Sequence, residues 1–403
     1  MVTGSLGERI AAYRRRRGLS QATLAGLVGR SESWLSQVER GIRSVDRLSV
    51  LLDLARVLRV EVEALLGRPW EYAPNGGRDV DELATVRRHF TRYDDLLGMV
   101  PANVPALPEL RAQVATAHGT YQAARYREAI AQLPALLGAV DAVRRAPAGP
   151  ERRESLLAYV SAYVVAAKLL TKLGATDLAM VAADRSATVS LDAESLGARG
   201  LAAYQVACAL LRADRSDEAE HLAVSMAEQV QAQARSDVPT LVSVAGALWL
   251  IAAVIAARQT ERFEAMARLE RADMLAGLLG HDANHAWTAF GPTNVAIHRV
   301  TVAAELGDPG YALSAATAVD PDNLSEGLRS RRAQMHLDLA WAQSQRKRDG
   351  EAVLHLLEAE RTAPQAVYYN VVVRELIREV LARQQRGRTS SLHDLAVRAG
   401  VLG

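Results

Sequence analysis

Between Ser20 and Gly41 the chain can form two short helices joined by one tight turn, and little else. Ser20 offers a hydroxyl to the unpaired backbone N–H groups at the start of a helix running to Val28. Gly29 then supplies the left-handed conformation that ends it, Ser31 caps a second helix, and Gly41 stops that one. Ala25 is small where the second helix must cross the first, and Leu24, Val28, Leu35 and Val38 supply the apolar positions between them. Two short helices around such a glycine-containing turn make a helix-turn-helix unit.

The rest of the chain predicts an all-α fold. Helical periodicity dominates, and the period-two alternation of strands is hard to find. A chain of 403 residues exceeds what one core organises, so two domains or a repeat array are expected. Gly67 to Gly77 holds two prolines and three glycines, and no helix continues through it. The expected organisation is therefore a small domain over residues 1–67, a linker over 68–79 and a helical region over 80–403. Within that region an alanine opens a helix after a turn at Ala129, Ala179, Ala219, Ala265, Ala312 and Ala352, every 40 to 50 residues. A small residue there lets the second helix of a pair lie close to the first, and stacked pairs cover faces that one pair leaves wet. The pattern is similar to the tetratricopeptide class, with helices longer than its period of about 34 residues allows. An irregular helical bundle is the alternative.

Residues 20–41 also follow the pattern Ser-Gln-x-x-Leu-Ala-x-x-x-Gly-x-Ser-x-x-x-Leu-Ser-x-x-Glu-x-Gly, with flanking helices at 6–17, 45–58 and 60–67. This region resembles the Xre-type, or phage-repressor-like, family of five-helix DNA-binding domains. The resemblance implies that Ser31 to Arg40 is a recognition helix whose first turns enter the major groove of double-stranded DNA. Glu32, Ser33 and Gln37 then take the positions that face base edges, where Gln37 suits adenine and Glu32 a cytosine amine. Trp34 is larger than the residue often found beside them; it contacts a thymine methyl or the sugar-phosphate wall, or it fills the interface with the linker. Gln21, Ser36, Arg40, Arg43 and Arg47 are implied as backbone anchors. Arg14 and Glu39 are implied as an internal ion pair bracing the recognition helix, leaving Arg15, Arg16 and Arg17 mostly solvated. Charge agrees with a local footprint: residues 1–67 hold eleven arginines and seven acids, a net +4, in a chain whose total is +2.

An Xre-type domain followed by a tetratricopeptide-like region is similar to the peptide-sensing regulators of Gram-positive bacteria and to large actinobacterial regulators. That likeness implies a ligand-responsive homodimer with a peptide or small-molecule effector. Asn294 and Asn370 read as mid-helix asparagines able to hold a peptide backbone, with His298 and Arg374 one turn further on and Trp287 and Phe290 nearby. The competing reading gives these asparagines to interhelical hydrogen bonds that fix the repeat packing.

Other chemistries find little support. The single cysteine, Cys208, cannot form an intrachain disulfide, suits a reducing compartment and reads as a buried structural thiol. The most apolar run, Leu241 to Ala257, is short for a membrane span, and no secretory signal opens the chain, so a cytoplasmic protein is expected. His281 and His285 stand four apart beside Gly280 with no third ligand, so no metal is expected. No phosphate loop, Gly-x-Ser-x-Gly elbow or Cys/His pairing is found, so neither an enzyme nor a cofactor is expected. The sequence reads as a sequence-specific DNA-binding transcriptional regulator. The alternative is an antitoxin-like scaffold whose helical array binds a protein partner.

Overall fold

The computed structural model describes residues 5–43, 45, 48–58, 60, 65, 80–93, 105–145, 151–320, 323–383 and 390–402. The chain divides into two units, Met1–Ala73 and Pro74–Gly403. The expected linker over 68–79 lies outside the described residues. The fold is all-α, with no strand among the described residues.

The first unit contains α1 (Leu6–Arg16), α2 (Gln21–Leu27), α3 (Glu32–Glu39) and α4 (Leu48–Leu58). Serines set where the first three begin. The Ser5 hydroxyl accepts from the Glu8 N–H while the Glu8 carboxylate accepts from the Ser5 N–H, a reciprocal cap. Ser20 accepts from the Thr23 N–H at 3.0 Å, and Ser31 from the Trp34 N–H at 3.2 Å. Gly29, at φ +65°, makes the turn between α2 and α3. Gly7 serves a different need, since a Cβ there would sit 2.1 Å from the Val38 carbonyl oxygen, where α1 and α3 touch. Ile10, Leu24, Leu35 and Leu54 fill the core between the helices. Of the expected fifth helix over 60–67 only Val60 and Leu65 are described, and Leu65 is helical and fully buried.

Among the described residues, the second unit begins with α5 (Val80–Phe90) and continues as six helix pairs. These are α6 (Leu107–Gln122) with α7 (Tyr126–Arg145), α8 (Arg152–Lys172) with α9 (Thr176–Asp192), α10 (Leu196–Arg212) with α11 (Ser216–Gln231), α12 (Pro239–Arg258) with α13 (Arg262–Leu279), α14 (Pro292–Glu305) with α15 (Pro309–Ala316), and α16 (Arg329–Gln345) with α17 (Asp349–Thr362). Helices α18 (Pro364–Tyr368), α19 (Val371–Arg383) and α20 (Ser390–Arg398) follow.

Each pair is made by the same turn. Ala124, Gly174, Asp214, Thr260, Gly307 and Lys347 all adopt positive φ two residues before the second helix starts. The next N–H in each turn then reaches back to a carbonyl near the end of the first helix, from Arg125 to Thr120 through Arg348 to Gln343, at 2.9–3.1 Å. The alanine marked in the sequence is the fourth residue of every second helix, and all six are buried. Its lone methyl group sets how closely the two helices approach.

Beyond its own partner, each first helix packs on the first helix of the next pair, so α6, α8, α10, α12, α14 and α16 form one continuous inner row. The row closes on itself, because α16 also packs against α6. The closure is reinforced where the Arg127 N–H donates to the Gln365 side-chain oxygen at 2.9 Å and where Tyr126 meets Tyr369 edge-on. Helix α12, which holds the apolar run 241–257, spans 20 residues and is long and apolar enough to cross a membrane by length and composition. Its length is thus no argument against a span. What accounts for its apolarity is packing, since 83% of its most apolar window is buried within the array.

Four of the six pair-forming turns place a side chain in the left-handed region, and Thr260 is the β-branched case, with the largest steric conflict. Replacing Thr260 with glycine removes that conflict against glycine's larger unfolded-state entropy. The expected result is a gain of up to about 1 kcal/mol in thermal or denaturant unfolding, while Gly307→Ala loses a comparable amount.

A braced recognition helix and a cationic cavity

Helix α3 is held from behind. The Arg14 guanidinium makes two hydrogen bonds to the Glu39 carboxylate, at 2.6 and 2.9 Å, and a third to the Leu19 carbonyl at 2.8 Å. The Gln21 side-chain N–H donates to the same carboxylate at 2.7 Å. Burial alone raises a carboxyl's pKa, yet the bonds from Arg14 and Gln21 prevail and hold Glu39 below the usual carboxylate range. The bond to Glu39 in turn raises the Arg14 guanidinium. One buried carboxylate thereby ties α1, α2 and α3 together, and the amide nitrogen of Gln21 is part of that tie.

With Leu35, Val38 and Glu39 turned inward, the opposite face of α3 carries Glu32, Ser33, Ser36, Gln37 and then Arg40. Glu32 and Ser33 are exposed, and Ser36 and Gln37 are half-buried. Ser31 is occupied as the cap. Trp34 is half-buried against the domain's own core, with the Arg30 guanidinium 5.7 Å from its ring. Arg40 is exposed, with its Nε donating to the Ser36 carbonyl. Arg43 is exposed just after Gly41 turns the chain, beside Ile42, an exposed apolar side chain that sequence reading passed over. Arg47 lies outside the described residues.

In the helical array the inner row surrounds a cavity of about 200 Å³. Trp287, Asn294 and His298 line it. The other three candidates do not. Phe290 is fully buried with its ring against Gly246 of α12, where a Cβ would sit 2.0 Å from it. Asn370 is not mid-helix: its side-chain oxygen accepts from the N–H groups of Val372 and Val373, at 3.0 and 3.3 Å, and so caps α19. Arg374 is buried one turn into that helix. Asn294 is likewise not mid-helix but the third residue of α14, after Gly291 and Pro292.

Trp287 belongs to a tight loop in which Ala286, Trp287 and Ala289 all adopt positive φ. The loop is fixed by a reciprocal amide pair between Gln122 and Asn284, at 3.0 and 2.8 Å, and by the Lys168 ammonium donating to the Trp287 carbonyl at 3.0 Å. The indole stacks on His118 at 5.0 Å. Sequence reading missed the cavity's charged residues, which are Lys168 and Lys172 on α8, Arg212 on α10, Arg258 on α12 and Arg331 on α16. Burial, followed by the nearby Arg331, pushes both lysines down to about 8. Lys172 lines the cavity and also keeps an exposed surface. Cys208, half-buried in the same wall, is pushed up to about 11 by burial, which keeps its thiol protonated and unreactive at neutral pH.

The first unit, with its short serine-capped helices, glycine turn and outward polar face on the second helix of the motif, is a helix-turn-helix DNA-binding domain. A model of the helix-turn-helix domain family matches residues 5–66. The transcriptional regulator SinR of Bacillus subtilis is 33% identical over 86 residues, 21% of this chain and 78% of SinR. SinR of Bacillus licheniformis is 34% identical over 74 residues, 18% of this chain and 67% of that protein. The chain belongs to the helix-turn-helix family of transcriptional regulators, which act by binding DNA and not as enzymes. A crystal structure of Bacillus thuringiensis PlcR with the peptide PapR7 and DNA aligns over 86% of this chain and 98% of that one, at 11% identity and a TM-score of 0.34. A score that low carries no argument about the array.

Two outcomes test these geometries. Arg14→Ala leaves Glu39 as an unpaired buried charge, so it should destabilise the first unit by about 3 kcal/mol and weaken DNA binding in parallel, as read by denaturant unfolding and gel shift. In the array, burial holds His298 down to about 3, against an ordinary 6.5. The unfolded chain therefore takes up that proton first, and stability falls as pH drops from about 6.5 toward 3. His298→Gln should flatten the pH dependence of the unfolding free energy in that window, by on the order of 1 kcal/mol per pH unit, as read by denaturant unfolding.

Proposed function

We propose that the protein is a cytoplasmic, sequence-specific regulator that binds its operator as a homodimer through α3 and whose helical array senses a peptide or small molecule. The observation that carries this reading is the outward face of α3, open on a helix whose back is fixed by Glu39. Glu32, Ser33 and Gln37 read base edges, and Gln37 can pair with adenine through its donor and acceptor together. Ser36, Arg40, Arg43 and Arg47, with the N-terminal turns of α2 and α3 at Gln21 and Ser31, hold the phosphate backbone and set the register. Trp34, set against its own core, presents only its outer edge to the sugar-phosphate wall. Two-fold symmetric operators of such domains place two recognition helices about one helical turn of DNA apart, which a homodimer supplies. The effector reading draws its support from the cavity within the array.

Gln37→Ala is the direct test. It should weaken binding to the selected operator by about 1–3 kcal/mol while leaving binding to random duplex nearly unchanged, measured by fluorescence anisotropy at fixed salt. Equal loss on both duplexes would refute base reading by this helix. A footprint covering one half-site, with one chain per duplex in sedimentation, would refute the dimer.

A further inference from the structure

The geometry points to the cavity of the inner row as a binding site for a small organic anion with an apolar body, its anionic group held between Lys172 and Arg212 and its body resting on α12. This rests on the effector reading above and gives the effector's chemistry. Three observations carry it.

The first is charge. Among the described residues, five cationic side chains line the cavity and no carboxylate does. Arg258 is answered by Glu305 at 2.7 Å, and Lys168 donates to a neutral carbonyl, which satisfies a hydrogen bond but no charge. The carboxylate that acts on Lys172, that of Asp338, accepts from Thr301 and Gln334 instead, at 2.6 and 2.9 Å. Burial raises its carboxyl to about 6, which weakens it further as a counter-ion. Among the described residues no carboxylate is in ion-pair contact with Lys172 or Arg212, and Glu305, already held by Arg258, acts on Arg212 only from further away. Like charges gathered in protein surroundings are costly unless an anion joins them.

The second is an unfilled pair of hydrogen-bonding groups. The side-chain nitrogen of Gln205 and the side-chain oxygen of Asn294 have no partner, although both residues line the cavity and are only 3% and 1% exposed. Buried amides are rarely left unpaired. One offers a donor and the other an acceptor, each able to meet a polar group on a ligand.

The third is an apolar stretch of the wall. Val244, Ala247, Leu250, Ile251 and Val254 of α12 line the cavity alongside the cations, one of which, Arg258, ends the same helix. A volume of about 200 Å³ lies below the usual range for ligand cavities, roughly 300–1,000 Å³. It suits one ring or a short acyl chain more than an extended peptide.

Salicylate and octanoate, each beside its uncharged carboxamide, serve as probes of the full chain by calorimetry and thermal shift, with operator binding followed in parallel by gel shift. At least one anion should bind with one-to-one stoichiometry and raise the melting temperature, with its carboxamide at least tenfold weaker. Lys172→Met with Arg212→Met should weaken the anion at least tenfold, leave the carboxamide unchanged and raise the melting temperature of the ligand-free protein. Lys172→Gln alone, which keeps a polar wall, should show the same trend and guards against misfolding of the double variant. The inference is overturned if anion and carboxamide bind alike, if neither anion binds at millimolar concentration, or if neutralising the cations leaves anion affinity intact. A chain that binds operator but fails these tests loses only the anion site; one that takes the anion but binds no DNA loses only the operator reading.

Discussion

The array depends on the closure of its inner row. Six first helices pack edge to edge and the last returns to the first, so every interior residue is enclosed by neighbours far away in sequence. Closure needs helices that approach closely and at a repeated angle. The six turns with a left-handed residue, each followed by an alanine at the fourth helical position, supply both. Within the row itself glycine permits close approach: a Cβ on Gly200 would meet Val244 at 2.5 Å, and one on Gly246 would run into the Phe290 ring. The enclosed space is what remains at the centre once these contacts are made. Its wall is consequently drawn from α6, α8, α10, α12, α14 and α16 together.

The DNA-binding domain rests on a comparable constraint at smaller scale. Its recognition helix is only eight residues long, too short to be stable alone in water. It is held by packing of Leu35 and Val38 on one side and by the carboxylate of Glu39 at its end. The outward face is left free of structural duty, which is what a surface that must match a groove requires.

How much of this was legible in the sequence follows from how local each feature is. Ser20, Gly29, Ser31 and Gly41 act on their nearest neighbours, so the two-helix motif could be read directly. The six alanines announce the repeat because each does the same job at the same place in its helix. Asn294 and Asn370 were misread in position, although the signals were present. Pro292 is a first-turn residue, and asparagine is among the best helix caps, so both belonged at helix starts. The cavity was not legible, because residues from six helices meet only when the row closes. One clue did stand in plain view. Lys168 and Lys172 are two of only three lysines in a chain with 45 arginines, and they lie one turn apart on a largely apolar helix.

The repeated turn carries a consequence for how such an array can change over time. Because each pair forms the bedding surface for the next, a shift in the tilt of one pair is inherited by every later one, and the far end must still arrive at the near end to seal the ring. Insertions of a few residues inside a helix would spoil that arithmetic. The array can therefore drift freely along its outer rim, but it can grow or shrink only by changes that restore the full circuit.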